Sequence, residues 1–104
     1  QVRLVEAGGK VKASGESIHL SCHGYGFSFS ATYLYWYRHA PDGGLEWVAT
    51  ISHNSAYIRY GSAVEGRTTV TRNNSQAMMF LSLRELRPQD SARYFCALAT
   101  VAGN

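Results

Sequence analysis

Cys22 and Cys96 stand far apart in the chain, with Trp36 a short way after the first and Tyr94 two residues before the second. These four positions constrain the fold more than anything else in the sequence. In Ile18-His19-Leu20-Ser21-Cys22 the apolar side chains fall on alternate residues, and the cysteine lies on their face. In Ala92-Arg93-Tyr94-Phe95-Cys96, residues Ala92, Tyr94 and Cys96 share one face and Arg93 and Phe95 the other. A period of two marks strands buried on one side, and a cysteine on the buried side of two separate strands is what a bridge between sheets requires. So wide a spacing does not suit zinc, whose ligands come in short repeats such as C-x-x-C. The reading is one structural disulfide, formed in an oxidising compartment. Closing a loop of this length contributes roughly 4 kcal/mol in the chain-entropy model. A domain is held folded by only about 5–15 kcal/mol in total, so that share is large.

The remaining strand-like runs are short and separated by Gly, Ser, Asn, Pro and Asp clusters, with no long helical period. Met79-Phe80-Leu81-Ser82-Leu83 alternates again, with the odd positions apolar. At 104 residues without a linker, repeat or low-complexity stretch, the sequence reads as one all-β domain spanning 1–104. Tyr33-Leu34-Tyr35-Trp36-Tyr37-Arg38-His39 is unusual in carrying large apolar or aromatic groups on both faces. So does Leu45-Glu46-Trp47-Val48, after the Ala40-Pro41-Asp42-Gly43-Gly44 turn. A strand with two apolar faces is covered on both. In so small a domain, the second cover is expected from another chain.

Apolar residues make up 45% of the sequence, and no run is long enough to cross a membrane as a helix, so no membrane insertion is expected. Gln1-Val2-Arg3-Leu4-Val5 alternates like a strand and fits a mature N-terminus after processing. The net charge is +3, from basic residues scattered along the chain, as at Arg3, Lys10, Lys12, Arg38, Arg59, Arg67 and Arg84. A nucleic-acid footprint would cluster them, so no nucleic-acid partner is expected and the charges are read as solubilising. His19, His23, His39 and His53 show no ligand spacing. The first two lie four apart on a strand, about 13 Å at the usual rise of about 3.3 Å per residue, too far to share a metal. There is no G-x-S-x-G elbow, phosphate loop or dinucleotide fingerprint, so neither catalysis nor a cofactor is indicated.

Ordered pieces along residues 1 to about 98 resemble antibody heavy-chain variable domains. They are Gln1-Val2-x-Leu4-Val5-Glu6, Leu20-Ser21-Cys22, Gly26-Phe27-x-Phe29-Ser30 and Trp36-x-Arg38-x-Ala40-Pro41, followed by Gly44-Leu45-Glu46-Trp47-Val48, Gly66-Arg67 and Asp90-x-Ala92-x-Tyr94-x-Cys96-Ala97. Each is weak alone, but the set at these spacings is specific. The resemblance implies a variable-type immunoglobulin sandwich of two Greek-key sheets, with a Cys22–Cys96 bridge under Trp36. It implies an Arg67–Asp90 ion pair closing the bottom of the sandwich and Tyr94 as the corner tyrosine. It also implies a light-chain docking patch of Tyr37, His39, Leu45, Trp47 and Phe95. Single-domain antibodies of camelids put polar residues where this chain has Gly44, Leu45 and Trp47, so pairing with a light chain is favoured. Tyr37 and His39 depart from the usual pattern of that patch.

Three loops at one end would then carry antigen recognition. The expected contacts are Ser30, Ala31, Thr32 and Tyr33 in the first loop. The second offers Thr50, Ser52, His53, Asn54, Ser55, Tyr57 and Arg59, and the third begins at Leu98, Ala99 and Thr100. Phe27 and Phe29 are expected to anchor the first loop internally. The family continues into a last strand opening on Trp-Gly-x-Gly, which does not follow Asn104, so the sequence is expected to be a piece of a longer chain. Departures such as Ser14, His23, Thr68, Met78, Met79 and Arg93 are read as extensive somatic mutation, with methionine filling volume lost at Thr68. That pattern suits a long-matured antibody against a viral surface glycoprotein; the rival is an unfamiliar germline gene or species. Asn73-Asn74-Ser75 is a glycosylation sequon. The expectation is a secreted protein, or the same domain in a B-cell receptor, that binds a protein or glycoprotein antigen without changing it. A variable-type domain of a T-cell receptor or other surface receptor is the alternative.

Overall fold

The computed structural model describes residues 1–8 and 14–99. Eight strands occur among them: β1 (Arg3–Gly8), β2 (Ile18–Tyr25), β3 (Leu34–His39), β4 (Leu45–Ile51), β5 (Ile58–Tyr60), β6 (Thr68–Asn73), β7 (Met78–Leu83) and β8 (Arg93–Leu98). Single 3-10 turns at Phe29–Ala31, Asn74–Gln76 and Pro88–Asp90 join them, and no α-helix occurs among the described residues. The strands form two antiparallel sheets in the order β1-β2-β7-β6 and β5-β4-β3-β8. The chain changes sheet between β2 and β3, between β5 and β6, and between β7 and β8, which is the crossing pattern of a Greek-key sandwich.

Alternation decides what lies between the sheets. Ile18, Leu20 and Cys22 of β2 and Met79, Leu81 and Leu83 of β7 are buried from one side, and Leu34, Trp36 and Ile51 from the other. Cys22 and Cys96 are disulfide-bonded across this layer with their Cα atoms 6.4 Å apart. Trp36 is fully buried on β3, where it pairs in register with Cys96 of the neighbouring strand β8. Glu6 joins the sheets a second time, its Oε2 accepting the Cys96 backbone N–H at 3.0 Å.

The expected filling of space at Thr68 by methionine is not what occurs. Thr68 is buried opposite Leu83, whereas Met79 pairs with Arg72 and Met78 with Asn73, at the far end of the same strand pair. Thr68 instead satisfies its hydroxyl by donating to the Val64 carbonyl at 2.8 Å, as a buried polar group must.

Candidate functional site

The antiparallel order brings three connections to one end of the sandwich: β2–β3, β4–β5 and β6–β7. The start of β1 and the end of β8 lie there too, since Arg3 pairs with Tyr25 and Leu98 with Leu34. Gly26 begins the first loop with φ of 81°. A Cβ at this position would collide with the Gln1 backbone, so the turn requires glycine. Phe29 is buried and Phe27 half-buried, with their rings 5.8 Å apart, and they pin the loop to the core. Ser30, Ala31 and Tyr33 are left exposed, while Thr32 is half-buried and donates to the Ser28 carbonyl at 2.8 Å.

The second loop is closed on itself. Ser52 N–H donates to the Tyr57 carbonyl at 2.9 Å. Its hydroxyl accepts from Tyr57 N–H at 2.9 Å and donates to Asn54 Oδ1 at 3.1 Å. Asn54 Oδ1 also takes the Ala56 N–H at 3.0 Å, and Ser55 turns the tip with φ of 65°. Two residues expected at the contact surface are therefore placed beneath it. Ser52 is 2% exposed and used up by these bonds, and Thr50 is 8% exposed with its hydroxyl accepting from Trp47 Nε1 at 2.9 Å. They shape the rim; they do not present themselves on it.

Arg72 joins the two loops from below. Its guanidinium donates to the carbonyls of Phe29 at 2.6 Å and Ser52 at 2.8 Å, and to Asn74 Oδ1 at 2.7 Å. It also lies 4.8 Å from the Phe29 ring centroid. Burial lowers its pKa from the ordinary arginine value, yet the side chain remains cationic. Asn74 extends the clamp by donating to the His53 carbonyl at 2.8 Å.

Above this clamp four side chains form a continuous exposed surface. Tyr33 lies 6.4 Å from both the His53 and the Tyr57 rings, and Arg59 stacks over Tyr57 at 4.3 Å. Tyr33 and Tyr57 are 40% and 44% exposed, so both present a substantial area to solvent. Asn54 and Ser55 stand beside them, also exposed. Leu98 and Ala99 are half-buried, and Ala99 N–H donates to the Tyr33 carbonyl at 3.1 Å. Thr100 lies outside the described residues. Asn73 sits exposed at the edge of this end, accepting the Ser75 hydroxyl at 2.8 Å.

A second surface occupies the outer face of β3, β4 and β8. Tyr37 and Phe95 stack with centroids 5.9 Å apart. Leu45 is 62% exposed and Trp47 36%, and His39 stands exposed opposite both Leu45 and Arg93. All five residues expected to form a docking patch thus lie on one face.

The end opposite the loops is closed by buried charge. Arg67 binds Asp90 through two nitrogens, at 2.8 and 3.1 Å, and also donates to the carbonyls of Ala63, Arg84 and Glu85. Arg38, which the scattered-charge reading left on the surface, is 4% exposed and reaches the same carboxylate at 2.9 Å. It also holds Glu46 at 2.7 Å and donates to the Tyr94 hydroxyl at 3.0 Å. Tyr94 in turn donates to the Asp90 carbonyl at 2.8 Å. Burial alone would raise the Asp90 carboxyl, but hydrogen bonds from Arg67, the Arg87 backbone N–H and Arg38 hold it down to about 2. Burial also works against the Arg38 charge, and its bonds to Tyr94, Asp90 and Glu46 more than restore it.

Arg72 beneath the loops and Arg38 in the buried charge network are inward-facing residues whose places the sequence left unread, and strand parity could have found both. Arg38 follows Leu34 and Trp36 on the inner parity of β3, and Arg72 follows Thr68 and Val70 on that of β6. Among the described residues no group of three or more His, Cys, Asp or Glu is placed to hold a metal, and no helix is long and apolar enough to cross a membrane. A family model described as Immunoglobulin V-set domain matches residues 8–104.

Proposed function

Because the chain belongs to the immunoglobulin V-set family, a family of binding domains, we propose that it is an antibody heavy-chain variable domain that recognises antigen non-covalently. The observation that carries this reading is the exposed Tyr33–His53–Tyr57–Arg59 surface, built on a clamped loop base at one end of the sandwich. Tyrosines supply large contact area for little lost rotamer freedom, and the neighbouring Ser and Asn side chains adapt their hydrogen bonds. V-set domains are typically extracellular, and secretion or display in a B-cell receptor fits the disulfide.

V-set domains commonly pair with other immunoglobulin domains. A light-chain variable domain is the partner proposed here, because Leu45 and Trp47 stand exposed beside the Tyr37–Phe95 stack. An apolar patch of that kind is avoided by domains that work alone. A matured antibody against a viral surface glycoprotein remains our proposal for the antigen class.

Alanine scanning of the paired molecule against its antigen tests the reading. Tyr33→Ala, His53→Ala, Tyr57→Ala and Arg59→Ala should include changes that weaken binding by at least about 2 kcal/mol. Arg84→Ala and Arg87→Ala, at the opposite end, should stay within about 0.5 kcal/mol. Equal effects from both groups would reject the loop rim as the recognition surface.

A further inference from the structure

Charge is distributed unevenly along the long axis of the sandwich. The chain has seven carboxylates, and none lies at the loop end. Glu16, Glu85 and Asp90 sit at the opposite end, where Gly15 N–H bonds the Leu86 carbonyl and Leu86 N–H that of Glu16. Asp42 lies in the β3–β4 turn and Glu65 in the β5–β6 connection, both at that far end as well. Glu46 is bound to Arg38, and Glu6 is turned inward onto the Cys96 N–H. The loop end carries Arg59, the half-buried Arg72, His53 and the N-terminus. Arg3 stacks 4.7 Å over Tyr25 at its margin.

Arg59 is the exposed cation at the centre of this field. One face of its guanidinium covers Tyr57 at 4.3 Å, and one nitrogen donates to the Ile58 carbonyl at 2.8 Å. A guanidinium has five N–H donors, so most of them stay available. Among the described residues no carboxylate pairs with Arg59, and the Tyr33 and Tyr57 hydroxyls make no hydrogen bond. A flat cation held in place by the Tyr57 ring, in the same exposed cluster as Tyr33, matches the planar acceptor pair of a carboxylate. The surrounding field, with no side-chain carboxylate nearby among the described residues, favours approach of negative charge.

We propose that the rim takes a carboxylate-bearing epitope, with the anionic group seated at the Arg59 guanidinium beside the Tyr57 ring. This rests on the reading of the loop end as the recognition surface. The carboxylate has two possible sources, the acidic side chains of a polypeptide and the terminal sialic acid of a glycan.

The test uses the full-length heavy chain co-expressed with its light chain, and measures retention on immobilised poly-L-glutamate and on polysialic acid at low and moderate salt. Retention on either probe should fall about tenfold in Arg59→Gln and by an intermediate factor in Arg59→Lys, which keeps the charge but loses the planar, stacked fork. Arg84→Gln removes the same unit of charge at the far end and should change it less than about twofold. Selective retention on poly-L-glutamate assigns the carboxylate to a polypeptide, and selective retention on polysialic acid assigns it to a glycan. Equal losses in Arg59→Gln and Arg84→Gln would reduce the effect to non-specific charge and overturn the proposal, as would no retention on either probe. Should the loop alanine variants still weaken the natural antigen in that case, only the charge inference falls. If they do not, the recognition surface itself has been misassigned.

Discussion

Replacing Asp90 by asparagine probes the buried charge network with almost no change in shape. Asp90, Arg38 and Arg67 are 4%, 4% and 5% exposed, and the carboxylate takes hydrogen bonds from both guanidiniums at 2.8–3.1 Å. Asparagine removes the negative charge and turns an N–H₂ group toward two cations that remain buried. Breaking such a group from one side costs about 3–5 kcal/mol, mostly because the remaining charges are uncompensated. Against a total of about 5–15 kcal/mol this is a large loss. Urea unfolding followed by tryptophan fluorescence at pH 7 should show it as a lower midpoint with an unchanged slope. The pH dependence supplies an independent check. Folding lowers the Asp90 carboxyl from 3.8 to about 2, which is worth about 2 kcal/mol at about 1.4 kcal/mol per pH unit. A carboxyl lowered by folding contributes its full stabilisation above the unfolded value and loses it as pH falls through the folded one. The gap between the wild type and Asp90→Asn should therefore stay constant from pH 7 to pH 5 and narrow by about 2 kcal/mol between about pH 4 and pH 2. A midpoint unchanged at pH 7, or a gap that does not close in acid, would refute the electrostatic account.

Arg72→Met keeps length and packing but removes the charged donor from the Phe29 and Ser52 carbonyls, leaving them only the backbone N–H groups of Thr32 and Ser55. It should cost about 1–3 kcal/mol in thermal or urea unfolding, speed amide exchange in both loops, and weaken antigen binding several-fold without a direct contact. Leu45→Glu should weaken assembly with the light chain by at least about tenfold, read by titration or size-exclusion chromatography; unaltered assembly would exclude this face. Secreted protein should carry a glycan at Asn73, seen as a peptide mass shift that a glycosidase removes and Ser75→Ala prevents. An unmodified peptide would reject the site.

Much of the scaffold can be read directly from local pattern. Period-two alternation around Cys22 and Cys96 states which side chains face inward, because a one-residue slip would turn the whole set outward. The exposed aromatic side of β3 and the apolar Leu45 and Trp47 of β4 were likewise visible as strands with two apolar faces. Exposure of individual loop residues was not. Thr50 and Ser52 look like ordinary loop polar groups, and only the Trp47 and Tyr57 contacts draw them inward.

The sequence by itself determined the strand faces, the cysteine pair and the family pattern, since these follow from short-range periodicity and spacing. Only the tertiary structure decided that Arg38 is buried on the carboxylate that Asp90 shares with Arg67, and that Arg72 reaches beneath the loops. Arg38, Arg67 and Asp90 come from three separate stretches of chain, and Arg72 meets two loops that lie well away from it in sequence. A charge can leave water only where partners converge on it, and that convergence exists only once the two sheets have packed together.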